Sequence, residues 1–176
     1  MDLGATICTP KRPACALCPW RAACTAFSRG DAESFPRKAA KSEGALRRGA
    51  AFVAIRADGF VLTRVRPASG LLGAMTEVPT TAWTIEFDAR HARDEAPLPA
   101  TWRRVPGVVR HTFTHFPLEL TVYRTELPAG TVAPEGARFL PLSEVAGEAF
   151  PNLMRKVLAS VGIDPRPADL PRRARK

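Results

Sequence analysis

The chain has 176 residues, a formal charge of +9 and an isoelectric point near 10.3, with 45% hydrophobic and 24% charged residues. That length accommodates one well-cored domain with an appendage, but not two full domains. A mean hydropathy of −0.11 and the lack of an apolar run long enough to span a bilayer argue against a transmembrane helix. Met1-Asp2-Leu3-Gly4 also lacks the basic-then-apolar pattern of an export signal, so a cytoplasmic protein with no membrane partner is expected.

The positive charge is unevenly spread. Residues 1–49 carry nine Lys/Arg against four Asp/Glu, residues 50–165 carry twelve of each, and residues 166–176 carry five against one. A neutral globular domain flanked by basic ends points to a polyanion as partner, and the last eleven residues read as a solvated basic tail.

In chain order, the first feature is four cysteines within 24 residues, Cys8, Cys15, Cys18 and Cys24, in a C-x6-C-x2-C-x5-C pattern. Two disulfides would suit a secreted domain, which nothing else here suggests. Four thiolates this close suit a tetrahedral metal or an iron–sulfur cluster. A zinc ribbon normally uses two close pairs, and only Cys15 and Cys18 form one. The uneven spacing favours a 4Fe–4S cluster, with zinc and purely structural thiols as the alternatives. Residues 29–49, rich in Ser, Gly, Lys and Arg, read as an exposed basic linker.

From Ala50 the pattern changes. Ala50–Arg56 and Phe60–Arg66 read as strands joined through Ala57-Asp58-Gly59, a hairpin signal. Thr80–Leu98 is interrupted by prolines. Val105-Pro106-Gly107-Val108 is a Pro-Gly turn followed by strand-like residues. Val108–Leu127 is rich in Val, Thr, Phe and Tyr, with Pro117 at a bend. Read as one amphipathic strand, its start would set Val109, His111, Phe113 and His115 on one face and Arg110, Thr112 and Thr114 on the other. Phe139-Leu140 suggests a short strand, and Leu142–Val145 a short helical turn. Pro151–Ser160 reads as a helix, with Leu153, Val157 and Val161 as its apolar stripe and Gly162 as its stop. The fold class expected is α+β: a mixed sheet flanked by helices, preceded by a short cysteine-rich loop.

Two stretches resemble one family. Leu3–Pro10, Pro13-x-Cys15-x-x-Cys18-Pro19 and Cys24 resemble the cluster loop of helix-hairpin-helix DNA glycosylases of the endonuclease III and MutY type. The domain from Ala50, with Gly70–Pro79 as a degenerate Nudix loop, resembles the Nudix-like C-terminal domain of MutY enzymes. The resemblance implies that Cys8, Cys15, Cys18 and Cys24 ligate a 4Fe–4S cluster that helps set Lys11, Arg12 and Arg21 against DNA phosphates. It puts Phe113, Thr114 and His115 on the family's Phe-Ser-His triplet, which reads 8-oxoguanine opposite adenine, with threonine in place of serine. His111 is assigned only a hydrogen bond to a neighbouring loop.

The family's helix-hairpin-helix and catalytic carboxylates precede the first cysteine, where this chain has seven residues. No catalytic residue is therefore expected here. The expected organisation is a cluster loop (1–28), a linker (29–49), an 8-oxoguanine recognition domain (50–165) and a tail (166–176). The whole reads as the C-terminal part of an adenine DNA glycosylase of base-excision repair, bound to duplex DNA with A:8-oxoguanine mispairs and served by a catalytic domain not included. The competing readings are a stand-alone DNA- or partner-binding module and a Nudix nucleotide hydrolase. Hydrolysis by a Nudix site needs clustered carboxylates to hold magnesium. Glu77 stands alone in the loop, while Glu86, Asp88, Asp94 and Glu95 lack the required spacing, so that reading is the weakest.

Overall fold

The computed structural model describes residues 2–37 and 44–165. Residues 38–43 of the linker and the tail (166–176) lie outside the described residues. The chain divides into two compact units, residues 1–42 and 43–176.

The first unit is a string of short turns. A helix α1 (Asp2–Thr6), two 3-10 turns (Cys15–Leu17 and Arg21–Ala23), a helix α2 (Thr25–Arg29) and a third 3-10 turn (Ala32–Ser34) follow one another. Cys24 caps α2, accepting the Phe27 amide on its Sγ at 3.4 Å, and Gly30 closes the helix at φ 73°. The loop is pinned by local bonds, among them Ala14 N–H to the Ile7 carbonyl at 2.9 Å and Arg12 N–H to Glu33 Oε1 at 3.2 Å. None of its described residues is buried, and Leu17 and Trp20 are largely exposed. A unit of this size without a buried apolar core needs another source of cohesion.

The second unit is built on a seven-stranded mixed sheet. Its strands are β1 (Arg47–Arg56), β2 (Phe60–Val65), β3 (Thr76–Glu77), β4 (Arg103–Arg104), β5 (Val109–Thr112), β6 (Pro117–Leu127) and β7 (Ala137–Pro141). The main path runs β3-β2-β1-β6-β4, with β5 paired to β6 and β7 to β2. β1 and β6 run parallel through ten register pairs, from Arg47 beside Leu118 to Arg56 beside Leu127. The turn at 57–59 joins β1 to β2 as expected, with Gly59 at φ 85° donating to the Arg56 carbonyl at 3.0 Å. The rest of that edge of β1 is covered by residues 79–84, through Phe52 N–H to Pro79, Thr81 N–H to Ala50, and paired bonds between Arg48 and Thr84.

Both faces of the sheet are buried, and the period-2 alternation of β1 shows why. Ala51 and Val53 join Leu118, Leu120 and Val122 under a helix α3 (Asn152–Ser160), which contributes Leu153, Met154, Val157 and Leu158. Ala50, Phe52 and Ala54 face the other way, towards Trp102, Tyr123 and Ala92. Phe52 is fully buried, edge-on to Trp102 at 5.1 Å and stacked on Tyr123 at 5.6 Å. The α+β mixed sheet is therefore as the sequence indicated, although its layers differ in kind. One face carries α3. The other carries an irregular segment with a single 3-10 turn at Ala92–Glu95.

The Val108–Leu127 stretch forms two strands joined by a tight hairpin, not one strand followed by a bend. β5 ends at Thr112, Phe113 N–H bonds the Phe116 carbonyl at 2.9 Å, and Pro117 opens β6. The alternation expected through His115 therefore stops at the turn.

Gly49 marks the closest approach in β1. A Cβ there would lie 2.9 Å from Trp83 Cδ1 and 3.2 Å from Thr81 Oγ1. Gly49→Ala is expected to push the 79–84 segment off β1 and to cost about 1–3 kcal/mol, read as a lower midpoint in urea unfolding. An unchanged midpoint would mean that Trp83 moves aside freely.

Candidate nucleic-acid interface

The hairpin between β5 and β6 presents four residues in a small space. Phe113 and Phe116 are half-buried at its base, whereas Thr114 and His115 are exposed at its tip. Phe113 is the centre of an aromatic group: it stacks on Trp83 at 5.9 Å, meets the His111 ring edge-on at 4.6 Å, and leans on Phe116 at 5.1 Å. Such contacts fix rings with few rotatable bonds, so the tip is carried on a stiff base. Gly44 backs it closely, since a Cβ there would lie 2.0 Å from the His115 carbonyl oxygen. Only glycine fits without moving the tip. Among the described residues, the Thr114 hydroxyl and the His115 imidazole have no hydrogen-bond partner.

His111 stands one step back, on β5. Partial burial, reinforced by the nearby Lys156 ammonium, holds its imidazole pKa below the ordinary value. Lys156 itself donates to the Arg110 carbonyl at 2.9 Å, tying α3 to β5. His111 thus acts as a neutral edge for the Phe113 ring, and no hydrogen bond from its side chain to a neighbouring loop is present among the described residues.

Beside the hairpin lies a cleft of about 360 Å³ whose wall includes Arg47, Arg64, Arg66, Trp83 and Phe116. Sequence reasoning passed over these arginines, because an arginine on a strand normally reads as a solvated face. The partner of Arg64 and Arg66, Glu77, was visible. It is buried, accepting from Arg64 Nε at 2.8 Å on one oxygen and from Arg66 on the other. Both oxygens of the lone loop carboxylate are therefore engaged by guanidinium groups.

In the first unit, Cys8, Cys15, Cys18 and Cys24 line one small cavity of about 70 Å³, with Ile7, Phe27 and Phe35 among its apolar walls. No disulfide joins them. A single tetrahedral ion would need all four sulfurs about 2.3 Å from one centre, and among the described residues no three His, Cys, Asp or Glu side chains are so gathered. Arg21 is on the cavity wall, with its guanidinium 4.7 Å over the Phe27 ring. Lys11 and Arg12 are exposed in the turn between the first two cysteines, where Arg12 adopts φ 52°. The expected residues thus fall into two groups, one in each unit: the cysteines with their three basic neighbours, and the hairpin triplet.

Known proteins are similar to this chain. The family model described as the NUDIX domain matches residues 50–160. The adenine DNA glycosylases of Homo sapiens and Mus musculus are 29% and 31% identical to it, over 89% of this chain in each case. Those alignments cover 39% and 40% of the relatives, so the chain spans about two fifths of the length of the curated proteins it matches. Among solved structures, the C-terminal domain of mouse MUTYH, crystallised in complex with human PCNA, superposes with a TM-score of 0.53 at 32% identity. That match covers 65% of this chain and 86% of the mouse domain. The MutT protein of Methanosarcina mazei Go1 gives 0.52 at 15% identity, over 67% of this chain and 94% of that one, which is a likeness of fold alone. The NUDIX match over residues 50–160 and the 32% identity to the mouse MUTYH C-terminal domain, 86% of which is covered, together carry the assignment. The chain belongs to the NUDIX-domain family, and within it to the C-terminal part of MutY-type adenine DNA glycosylases.

Proposed function

We propose that this chain reads 8-oxoguanine opposite adenine in duplex DNA for an adenine DNA glycosylase of base-excision repair. The reading rests above all on the hairpin tip, where an exposed hydroxyl with no hydrogen-bond partner among the described residues stands on a packed aromatic base. Guanine presents an acceptor at N7, whereas 8-oxoguanine presents an N7–H donor beside the O8 acceptor. The Thr114 hydroxyl accepts from N7–H, and a tip backbone amide donates to O8. Phe113 and His115 flank it, one as the ring that fixes the loop and the other as a polar group at the tip. Opposite ordinary guanine the hydroxyl must turn to donate to N7 and the tip amide meets C8–H in place of O8, so the paired contact is broken up, a loss of roughly 1–3 kcal/mol.

Removal of the adenine, by hydrolysis of its N-glycosidic bond after flipping from the stack, belongs in this proposal to a helical domain outside this chain. The chain alone binds and does not cleave. Glu77, the carboxylate left from a NUDIX hydrolase site, is occupied by Arg64 and Arg66, which disfavours nucleotide hydrolysis as its work.

The four cysteines would hold a 4Fe–4S cluster. Their shared cavity, and the lack of a buried core among the described residues of this unit, support this assignment. Bound there, the cluster supplies iron–thiolate bonds that tie the loop together. Lys11, Arg12 and Arg21, carried on the same loop, would then face DNA phosphates.

Thr114→Ala is expected to lower the preference for an A:8-oxoguanine duplex over an A:G duplex about ten- to hundredfold, with little change in affinity for the A:G duplex. Equal losses on both duplexes would make Thr114 a structural residue. Anaerobic reconstitution with iron and sulfide is expected to give about four irons per chain, a visible charge-transfer band that fades in air, and loss of both in Cys18→Ala. Tight binding of one zinc, with no iron taken up, would contradict the cluster assignment.

A further inference from the structure

The arginine cleft beside the hairpin does more than neutralise Glu77. Three guanidinium groups, of Arg47, Arg64 and Arg66, line it against one buried carboxylate, leaving two positive charges in excess. Their orientation is fixed. Arg47 lies 4.2 Å over the Phe116 ring, and Arg66 lies 5.0 Å over the Trp83 ring. Arg64 reaches Glu77 and the Thr80 carbonyl, the latter at 3.2 Å, while Arg66 reaches Glu77 and the Leu71 carbonyl, the latter at 3.0 Å. A guanidinium has five N–H donors. These partners take two from each of Arg64 and Arg66, so both retain donors after Glu77 is satisfied. Planar groups stacked on aromatic faces keep their N–H edges available for an oxyanion, in the geometry that binds phosphate oxygens in pairs.

Position decides which phosphate. Phe116 belongs both to the cleft wall and to the hairpin, and the Arg47 guanidinium rests on it. β1 and β6 are in parallel register at this point, with Arg47 beside Leu118, two residues past Phe116. An occupant of the cleft therefore lies one side chain away from the loop that carries Thr114 and His115. An extended strand with one base at the tip has a backbone phosphate on each side of that base.

We propose that Arg47, Arg64 and Arg66 form a docking site for a DNA backbone phosphate next to the base met at the hairpin tip. The site supplies register and affinity without sequence information, as phosphate contacts do. This proposal rests on the hairpin being a DNA contact, so its test has to separate the two.

Arg47 is the residue to change. It is exposed and has no share in holding Glu77, whereas loss of Arg64 or Arg66 would strand a buried carboxylate. The full chain, its Arg47→Ala and Arg47→Lys variants, and Thr114→Ala would be titrated with A:8-oxoguanine and A:G duplexes over a range of salt concentrations. In Arg47→Ala, affinity for both duplexes is expected to fall together, with the log–log salt slope reduced by about one and the lesion preference unchanged. Arg47→Lys should restore the slope while recovering only part of the affinity. A wild-type chain that shows no lesion preference, yet loses slope in Arg47→Ala, would leave the phosphate site standing and sink the reading of the tip. An unchanged slope in Arg47→Ala would overturn the phosphate site. It would also fall if Arg47→Ala weakened only the binding of inorganic pyrophosphate, which would make the cleft a site for free nucleotides.

Discussion

The parallel ladder between β1 and β6 is the constraint on which the rest of the NUDIX unit depends. Ten consecutive register pairs align two long strands. Because strand side chains alternate in direction, this single pairing defines both cores at once: Ala51 and Val53 with Leu120 and Val122 under α3, and Phe52 with Tyr123 and Trp102 on the other side. A one-residue slip would exchange these faces, placing Phe52 among residues packed to fit alanine and valine. The same ladder decides what stands next to what at its end. Arg47 begins β1 where β6 leaves the hairpin, so the tip, its aromatic base and the first cleft arginine are assembled by one set of backbone bonds. Residues 79–84, clasped along β1, bring Trp83 to that place.

Glu77 gives the clearest account of how a hydrolase fold accommodates a different task. A NUDIX hydrolase gathers carboxylates to hold cations that neutralise a diphosphate. Here one carboxylate remains, and it is buried between two arginines. In the proposed phosphate site the charge logic is reversed: the protein itself would provide the cations, fixed on strands and aromatic rings. Burying such an ion pair is of doubtful benefit to stability. Its retention is easier to understand if the excess guanidinium charge has a ligand. A second carboxylate of this kind, Glu148, is depressed below its ordinary pKa by a hydrogen bond from Thr76 and by Arg138, and it fastens β3 to the segment before α3. That carboxylate works purely within the fold.

Much of this was legible in the sequence, for identifiable reasons. Alternation in Ala50–Arg56, the Ala57-Asp58-Gly59 turn, and proline before an apolar stripe at Leu153 and Val157 are local signals, and the elements follow them closely. β1 reaches back to Arg47, because pairing with β6 holds residues whose own composition is polar. β3 and β4, two residues each, have no periodicity to read and exist only through their neighbours. The hairpin tip was found through its motif, and its strand-like alternation was misleading. Val, His and Phe at every second position continue the pattern past Thr112, whereas the turn is set by β5 pairing back on β6. The cleft was hidden for a different reason: alternation puts Arg64 and Arg66 on one face, but nothing local places Arg47 or Glu77 beside them, and the sheet gathers them. In the first unit the cysteine spacing was the legible signal, and the fold brings all four cysteines to the wall of one cavity.

The central claim is that lesion recognition resides in this chain and base removal does not. The most direct measurement is a parallel assay of binding and adenine release on A:8-oxoguanine and A:G duplexes, using the 176-residue chain. Preferential binding of the 8-oxoguanine duplex with no adenine released is the result this account predicts. Released adenine would place a catalytic carboxylate among residues described here as structural, and equal binding to both duplexes would remove the hairpin tip as the reader of the lesion.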